Sequence, residues 1–213
     1  MAAKGVIMTD NAVTLRKTEP SDYPLLEQWW NDHAIADGCR TSVDALPAAT
    51  VDEQFHAWSD IDDDHRFGRT ILDPAGSPIG HIAAWGCEDP DRDPVMGILV
   101  GPYFQGRGYG SQAMKLGIRL AAEQLMAKSI TVKVWSFNLR ARHMYESLGF
   151  REVDREANAV ERNDRWFDEV IYRAPIKTLM DRIAAEIVER EEGEELERRR
   201  YAAERPSDLL PVR

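Results

Sequence analysis

The chain has no run of 18 apolar residues, so no segment of it reads as a membrane-spanning helix. Its opening residues, MAAKGVIMTD, lack the apolar centre of a secretory signal. A soluble, cytoplasmic protein with no membrane partner is expected. Cysteine is scarce: Cys39 and Cys87 stand far apart without metal-ligand companions, so both read as structural thiols and no metal is expected. Positive charge is in deficit as well. Among 213 residues, 27 Lys and Arg face 37 Asp and Glu, a net charge of -10. The segment from Pro175 onward holds 8 basic and 10 acidic residues, so the acidity belongs mainly to the part before it. Such a surface is a poor partner for nucleic acid; it either draws a cationic amine or serves solubility. No Gly-Lys pair is followed by Ser or Thr, which excludes a Walker phosphate loop.

What is present centres on residues 94 to 127, PVMGILVGPYFQGRGYGSQAMKLGIRLAAEQLMA. Val95 to Val100 has the length and the bounding turn residues of a buried strand. A glycine turn, Gln105 to Gly110, follows, and apolar residues at 114, 116, 118, 120, 121 and 125 predict a core-facing helix from Ser111 to about residue 127. Gly106, Gly108 and Gly110 remove side chains where a helix begins, so backbone N–H groups can face an anion there. Their GxGxG spacing is not the GxGxxG of a dinucleotide fingerprint. A phosphate or pyrophosphate is the expected guest; a tight strand-to-helix turn with no guest is the alternative.

Residues 129 to 150 supply a second motif: alternation at 131 to 135, Asn138 as an N-cap, a helix over 139 to 148 and Gly149 to end it. With these residues the chain resembles the GNAT family of N-acetyltransferases. The family's acetyl-coenzyme A motif matches Gln105, Gly108 and Gly110, and its later signature matches Asn138, Ala141, Tyr145, Gly149 and Phe150. The resemblance covers roughly residues 11 to 174, and Trp166 to Arg173 is similar to the closing strand of the branch that holds polyamine and ribosomal-protein acetyltransferases.

Read in order, the chain predicts a first strand at 13–17 and a helix from Ser21-Asp22 to about Asn31. Residues 34 to 49 lack periodicity and read as a mobile loop, a substrate lid. Thr50 and Glu53 form a capping box for a helix to Ser59 on which Phe55 and Trp58 share a face. The cluster Asp60, Asp62, Asp63 and Asp64 reads as a solvated loop, or as an attractor of polyamine. Strands at 66–72 and 77–86 form a hairpin that continues as a meander into 94–100; later strands are expected near 150–160 and 166–174. The fold class is α/β (α+β): a mixed, mostly antiparallel central sheet flanked by helices, in a domain of residues 1–174. Residues 175–213 form a charged helical extension. Its apolar stripe, Ile176, Leu179, Ile183 and Ile187, packs on the domain or joins a second copy as a homodimer; beyond Ile187 it fades into a polar stretch, interrupted by Gly193, whose far half reads as solvated or frayed.

The resemblance implies acetyl-CoA as cosubstrate, held by backbone groups of Leu99 and Val100 along its pantetheine arm. Amides of Gln105, Gly106, Arg107, Gly108, Tyr109, Gly110 and Ser111 would hold the pyrophosphate, with Asn138 as a further contact. Tyr145 occupies the family's position for the general acid that protonates the departing thiolate. Many relatives carry an acidic base where this chain has Val95, so the base is sought at Glu88 first, then His81, Asp89, Glu27 or Asp37. Trp30 and Asp37 are the expected acceptor contacts. The leading reading is N-acetylation of a primary amine, tilted toward a small cationic acceptor such as a polyamine or aminoglycoside, with a peptide N-terminus as an alternative. A non-catalytic acyl-CoA-binding regulatory protein that captures a partner through residues 176 to 204 is the competing class.

Overall fold

The computed structural model describes residues 8–10 and 13–204. The expected domain limits at residue 1 and residue 213 lie outside the described residues. Strands β1 (Met8–Asp10) and β2 (Val13–Lys17) are followed by three helices, α1 (Tyr23–Trp30), α2 (His33–Cys39) and α3 (Ala48–Ser59). Then come β3 (Phe67–Leu72), β4 (Pro78–Trp85), β5 (Val95–Val100), α4 (Tyr109–Gln124), β6 (Ser129–Trp135) and α5 (Leu139–Leu148). The hairpin β7 (Arg151–Arg162) and β8 (Arg165–Pro175) leads into α6 (Ile176–Glu204).

The strands make one sheet in the order β1-β2-β3-β4-β5-β6-β8-β7. Every neighbouring pair is antiparallel except β5 and β6. The predicted meander and mixed sheet are therefore present. One apolar core joins the sheet to α4, α5 and the first turns of α6; a second joins Leu99 to α1, α2 and α3 through Leu26, Trp29, Ile35, Val51 and Phe55. Gly117 lets α4 lie close on the sheet, since a Cβ there would stand 2.5 Å from Ile82 Cδ1 and 3.3 Å from Met96 Sδ.

Several expectations give way to tertiary contacts. Residues 34 to 39 are not loop but part of α2, a helix too short for periodicity to register and capped by Asp32, whose side chain accepts from Ala34 N. The loop after it is tied down rather than free: Arg162 donates to Asp37 Oδ1 at 2.9 Å, to the Asp37 carbonyl at 3.1 Å and to the carbonyls of Arg40 and Thr41. Buried Arg40 in turn donates to the carbonyls of Trp30 and Asp44. The Thr50–Glu53 capping box does not form, because α3 starts three residues earlier than that box requires, at Ala48 behind Pro47. Helix α4 likewise starts at Tyr109 rather than Ser111, directly after Gly108 in the left-handed region at φ +82°.

The predicted stripe on α6 packs on its own domain, with Leu179 and Ile183 buried, and Lys115 of α4 pairs with Glu186. Beyond it the helix continues through Gly193 to Glu204, and residues 188–201 are exposed. The acidic cluster is largely structural. Asp62 joins Lys17, Arg69 and Gln124, and Asp63 accepts from the N–H groups of His65 and Arg66.

Asp22, 2% exposed, knots β2 and the start of α1 to β3: Arg16 donates to both its oxygens at 2.7 and 2.8 Å, Glu19 N at 2.9 Å and Thr70 Oγ1 at 2.8 Å. Burial would raise this carboxyl's pKa, but these donors outweigh it and hold it below the ordinary value. A depressed carboxyl pKa stabilises the fold above the unfolded value, about 3.9, and the contribution disappears as pH falls through the folded value. Asp22→Ala is expected to lose about 3 kcal/mol at neutral pH and to flatten the acid limb of stability against pH. Urea unfolding across the acid range checks this; an unchanged midpoint would refute it.

Candidate active site

The sheet opens where its two halves meet. β5 and β6 share one register pair, Val95 with Thr131, secured by Thr131 N donating to Pro94 O at 3.0 Å. Gly101 N donates to Ile79 O at 2.8 Å, which fixes the phase of the β4–β5 ladder. By alternation, the backbone groups of Leu99, Gly97 and Val95 turn to β4, and those of Met96, Ile98 and Val100 turn toward β6. Past the shared pair, Ile98 and Val100 therefore present peptide groups to the opening between the strands. This alters the expectation at one position: the side chain of Leu99 lines the opening, but its peptide belongs to β4. The Gln105 side chain folds back on the same strand, its Nε2 donating to Val100 O at 3.0 Å while its Oε1 accepts from Arg140 at 2.7 Å.

At the end of β5 the glycine turn delivers the chain to α4. Gly106 and Gly108 have φ of +76° and +82°, a region that other residues enter at a cost. No side chain caps the helix start, so the amides of Tyr109, Gly110 and Ser111 point out of the first turn without a capping oxygen. A Cβ at Gly106 would meet nothing within 4 Å, while one at Gly110 would stand 3.5 Å from Met144 Sδ. Arg107 is exposed beside this turn. Asn138 caps α5, its Oδ1 accepting from Ala141 N at 3.2 Å, and Gly149 ends that helix at φ +105°. These features suit a polyanionic group joined to an amide-bearing arm: uncapped amides and glycines for the anion, unpaired peptide groups of β5 for the arm.

A cavity of about 360 Å³ runs through the opening and is lined from both sides of the sheet. From α5 come Asn138, Ala141, Met144 and Tyr145; from α1, α3 and β4 come Trp30, Phe55, Trp58, His81 and Trp85; Gly38 and Cys39 of α2 complete it. Tyr145 is 5% exposed, and burial, with Cys39 nearby as a lesser cause, raises its pKa, so the phenol keeps its proton. Cys39 is accessible from the cavity, yet the protein around it pushes its thiol up to about 11. His81 Nε2 lies 2.9 Å from Ser59 Oγ, and burial pushes this imidazole down to about 3, so it is neutral at physiological pH.

The cavity gathers Trp30, His81, Leu99, Asn138 and Tyr145 from among the expected site residues, but neither Glu88 nor Asp37. Glu88 is exposed and lies 3.5 Å from His65, and the Asp37 carboxylate is engaged by Arg162. The carboxylate on the wall is Glu169 of β8, 18% exposed, with Lys133 Nζ at 3.2 Å. Sequence reasoning missed it. Its signal was weak: an acidic residue in the set Phe167, Glu169 and Ile171, on the face of β8 opposite the buried Val170 and Tyr172. Trp85 was also missed; it lies over Gly97, where a Cβ would come within 3.2 Å of the indole. Among the described residues, no group of three or more His, Cys, Asp or Glu side chains could hold a metal ion, and no helix is long and apolar enough to cross a membrane.

Comparison with known proteins agrees with this geometry. The family model described as an acetyltransferase (GNAT) domain matches residues 12–151. No curated protein matches the chain. Among solved structures, the chain is similar to spermidine N-acetyltransferase from Vibrio cholerae in complex with CoA and spermine: TM-score 0.71, 19% identity, covering 80% of this chain and 99% of that one. It is also similar to a GNAT-family acetyltransferase from Bacillus anthracis, with TM-score 0.67 and 13% identity, covering 81% of this chain and 99% of that one. At such identities the likeness shows a shared fold.

A histidine this deeply buried is expected to stay neutral down to about pH 4, well below the ordinary value of about 6.5. Because the unfolded chain binds the proton first, stability falls as pH drops below about 6.5. Ring resonances of His81 followed by NMR should show no titration between about pH 5 and about pH 8; a step in that interval would contradict its burial.

Proposed function

The chain belongs to the GNAT acetyltransferase family, and from that premise we propose that it transfers the acetyl group of acetyl-CoA to a primary amine. The observation that carries this reading is the continuity of three features: the uncapped glycine start of α4, the unpaired peptide groups of β5, and the cavity that ends at the protonated phenol of Tyr145. Bound acetyl-CoA would supply an acyl group activated as a thioester. The amides of Tyr109, Gly110 and Ser111, with Arg107 beside them, would hold its pyrophosphate, and the peptides of Ile98 and Val100 its pantetheine arm.

An alkylamine with a pKa of about 10.4 arrives protonated, and making it neutral at pH 7 costs about 4.6 kcal/mol. Glu169 is placed to receive that proton, a role the sequence had assigned to Glu88. The nitrogen then forms a bond to the acyl carbon as the carbon–sulfur bond breaks, and Tyr145 Oη gives its proton to the sulfur. The second proton leaving the nitrogen restores the phenol. Each ammonium and thioester consumed yields one amide and one thiol, with one proton released to water.

Tyr145→Phe tests this assignment. Thiol release with an accepted amine should fall by at least about tenfold, while calorimetric affinity for CoA stays within about twofold. Unaltered turnover would remove Tyr145 from the chemistry. Binding of CoA with no thiol release on any amine would instead favour the non-catalytic sensor.

A further inference from the structure

The acceptor side of the cavity is walled by rings and carries no net charge. Phe55 and Trp58 stand at 5.3 Å and 89°; Trp30 meets Trp58 at 5.3 Å and 84°; Trp58 stacks on Trp85 at 6.2 Å and 24°, and His81 closes the base at 5.3 Å from Phe55. Trp30, Trp58 and Trp85 are each half-buried, so their remaining surface faces the cavity they line. The charged side chains on the wall are Glu169 and Lys133, which pair with each other, and the neutral His81 adds nothing to the balance.

A polyamine carries several ammonium groups, and each one taken from water into such a wall needs its own counter-charge. Glu169 can offset one, and only by giving up Lys133, whose side chain is 46% exposed and can turn to water. The acidic groups outside do not supply the rest: Asp37 is bound to Arg162, and Asp62 to Lys17 and Arg69. A single ammonium near Glu169 can be matched, and aromatic faces favour both a cation and a flat ring laid against them. Gly97 adds a specific provision, because a Cβ there would stand 3.2 Å from the outer edge of the Trp85 indole and press the ring away by a few tenths of an ångström.

Resting on the acetyltransferase reading above, we propose that the acceptor is a monoamine carried on a flat, apolar body, an arylalkylamine, with its ring laid against the aromatic wall of Trp30, Trp58 and Trp85 and its nitrogen directed to Glu169. The same wall disfavours polyamines and aminoglycosides, against the tilt that overall acidity gave the sequence reading. The net charge of -10 is a property of the outer surface and is not repeated in the cavity.

Thiol release measured with 2-phenylethylamine, n-butylamine, spermidine, kanamycin and a short peptide with a free N-terminus decides the matter. The expected result is a kcat/KM for 2-phenylethylamine at least about tenfold above each of the others. Trp85→Leu should erase most of that preference through KM, with CoA affinity retained. Should that variant not fold, Gly97→Ala, which presses on the indole without deleting it, should lower kcat/KM for 2-phenylethylamine more than for n-butylamine. Preference for spermidine, kanamycin or the peptide, or equal rates for the ring-bearing and linear monoamines, would overturn the arylalkylamine assignment and leave acetyl transfer standing. CoA binding without turnover on any of the five would overturn acetyl transfer itself.

Discussion

β5 and β6 lie side by side for one residue pair and then part. That parting is forced by the way the two halves of the sheet are built. β5 ends a meander whose ladder to β4 extends over six pairs, and β6 is bound over seven pairs to β8, so each strand follows the twist of its own partner. The result is a slot through an otherwise continuous sheet, with peptide groups of β5 along one margin and buried side chains from both cores at its ends. The glycine turn, the helix start of α4 and Tyr145 matter because they adjoin this slot.

Around the slot the chain spends polar groups on holding elements in place. Asp22 with Arg16 and Thr70 ties α1 to β3, Arg162 and Arg40 fasten α2 and its following loop, and Gln105 links β5 to Arg140 of α5. The cavity is left with rings, a phenol, a neutral imidazole and one ion pair. Such an interior raises the cost of an unmatched charge and keeps protons on Tyr145, which is what proton donation to a departing sulfur requires.

Much of this was readable from the residues. Val95 to Val100, the glycine turn and Asn138 to Gly149 announce themselves by local chemistry: a continuous apolar run, residues that tolerate positive φ, an N-cap and a left-handed stop. The glycine turn and the start of α4, built from consecutive residues, were legible for the same reason. The aromatic side of the cavity was not. It joins α1, α3, β4 and β8, so Trp85 and Glu169 become neighbours of the cavity only once the sheet order is known. The short α2 escaped notice because its order comes from Arg162, more than a hundred residues away, and not from its own periodicity. Glu88 attracted attention by its place after a strand, but the turn there carries it outward to His65.

The claim on which the account rests is that the peptide groups of Ile98 and the N–H of Val100, whose carbonyl is taken by Gln105, are left for CoA to engage. Amide hydrogen exchange across β5, measured with and without CoA, addresses it directly. The amides of Ile98 and Val100 should exchange faster than those of Gly97 and Leu99 in the free protein and become protected when CoA is present. Equal protection of all four amides without CoA, or no change at Ile98 and Val100 at saturating CoA, would contradict it.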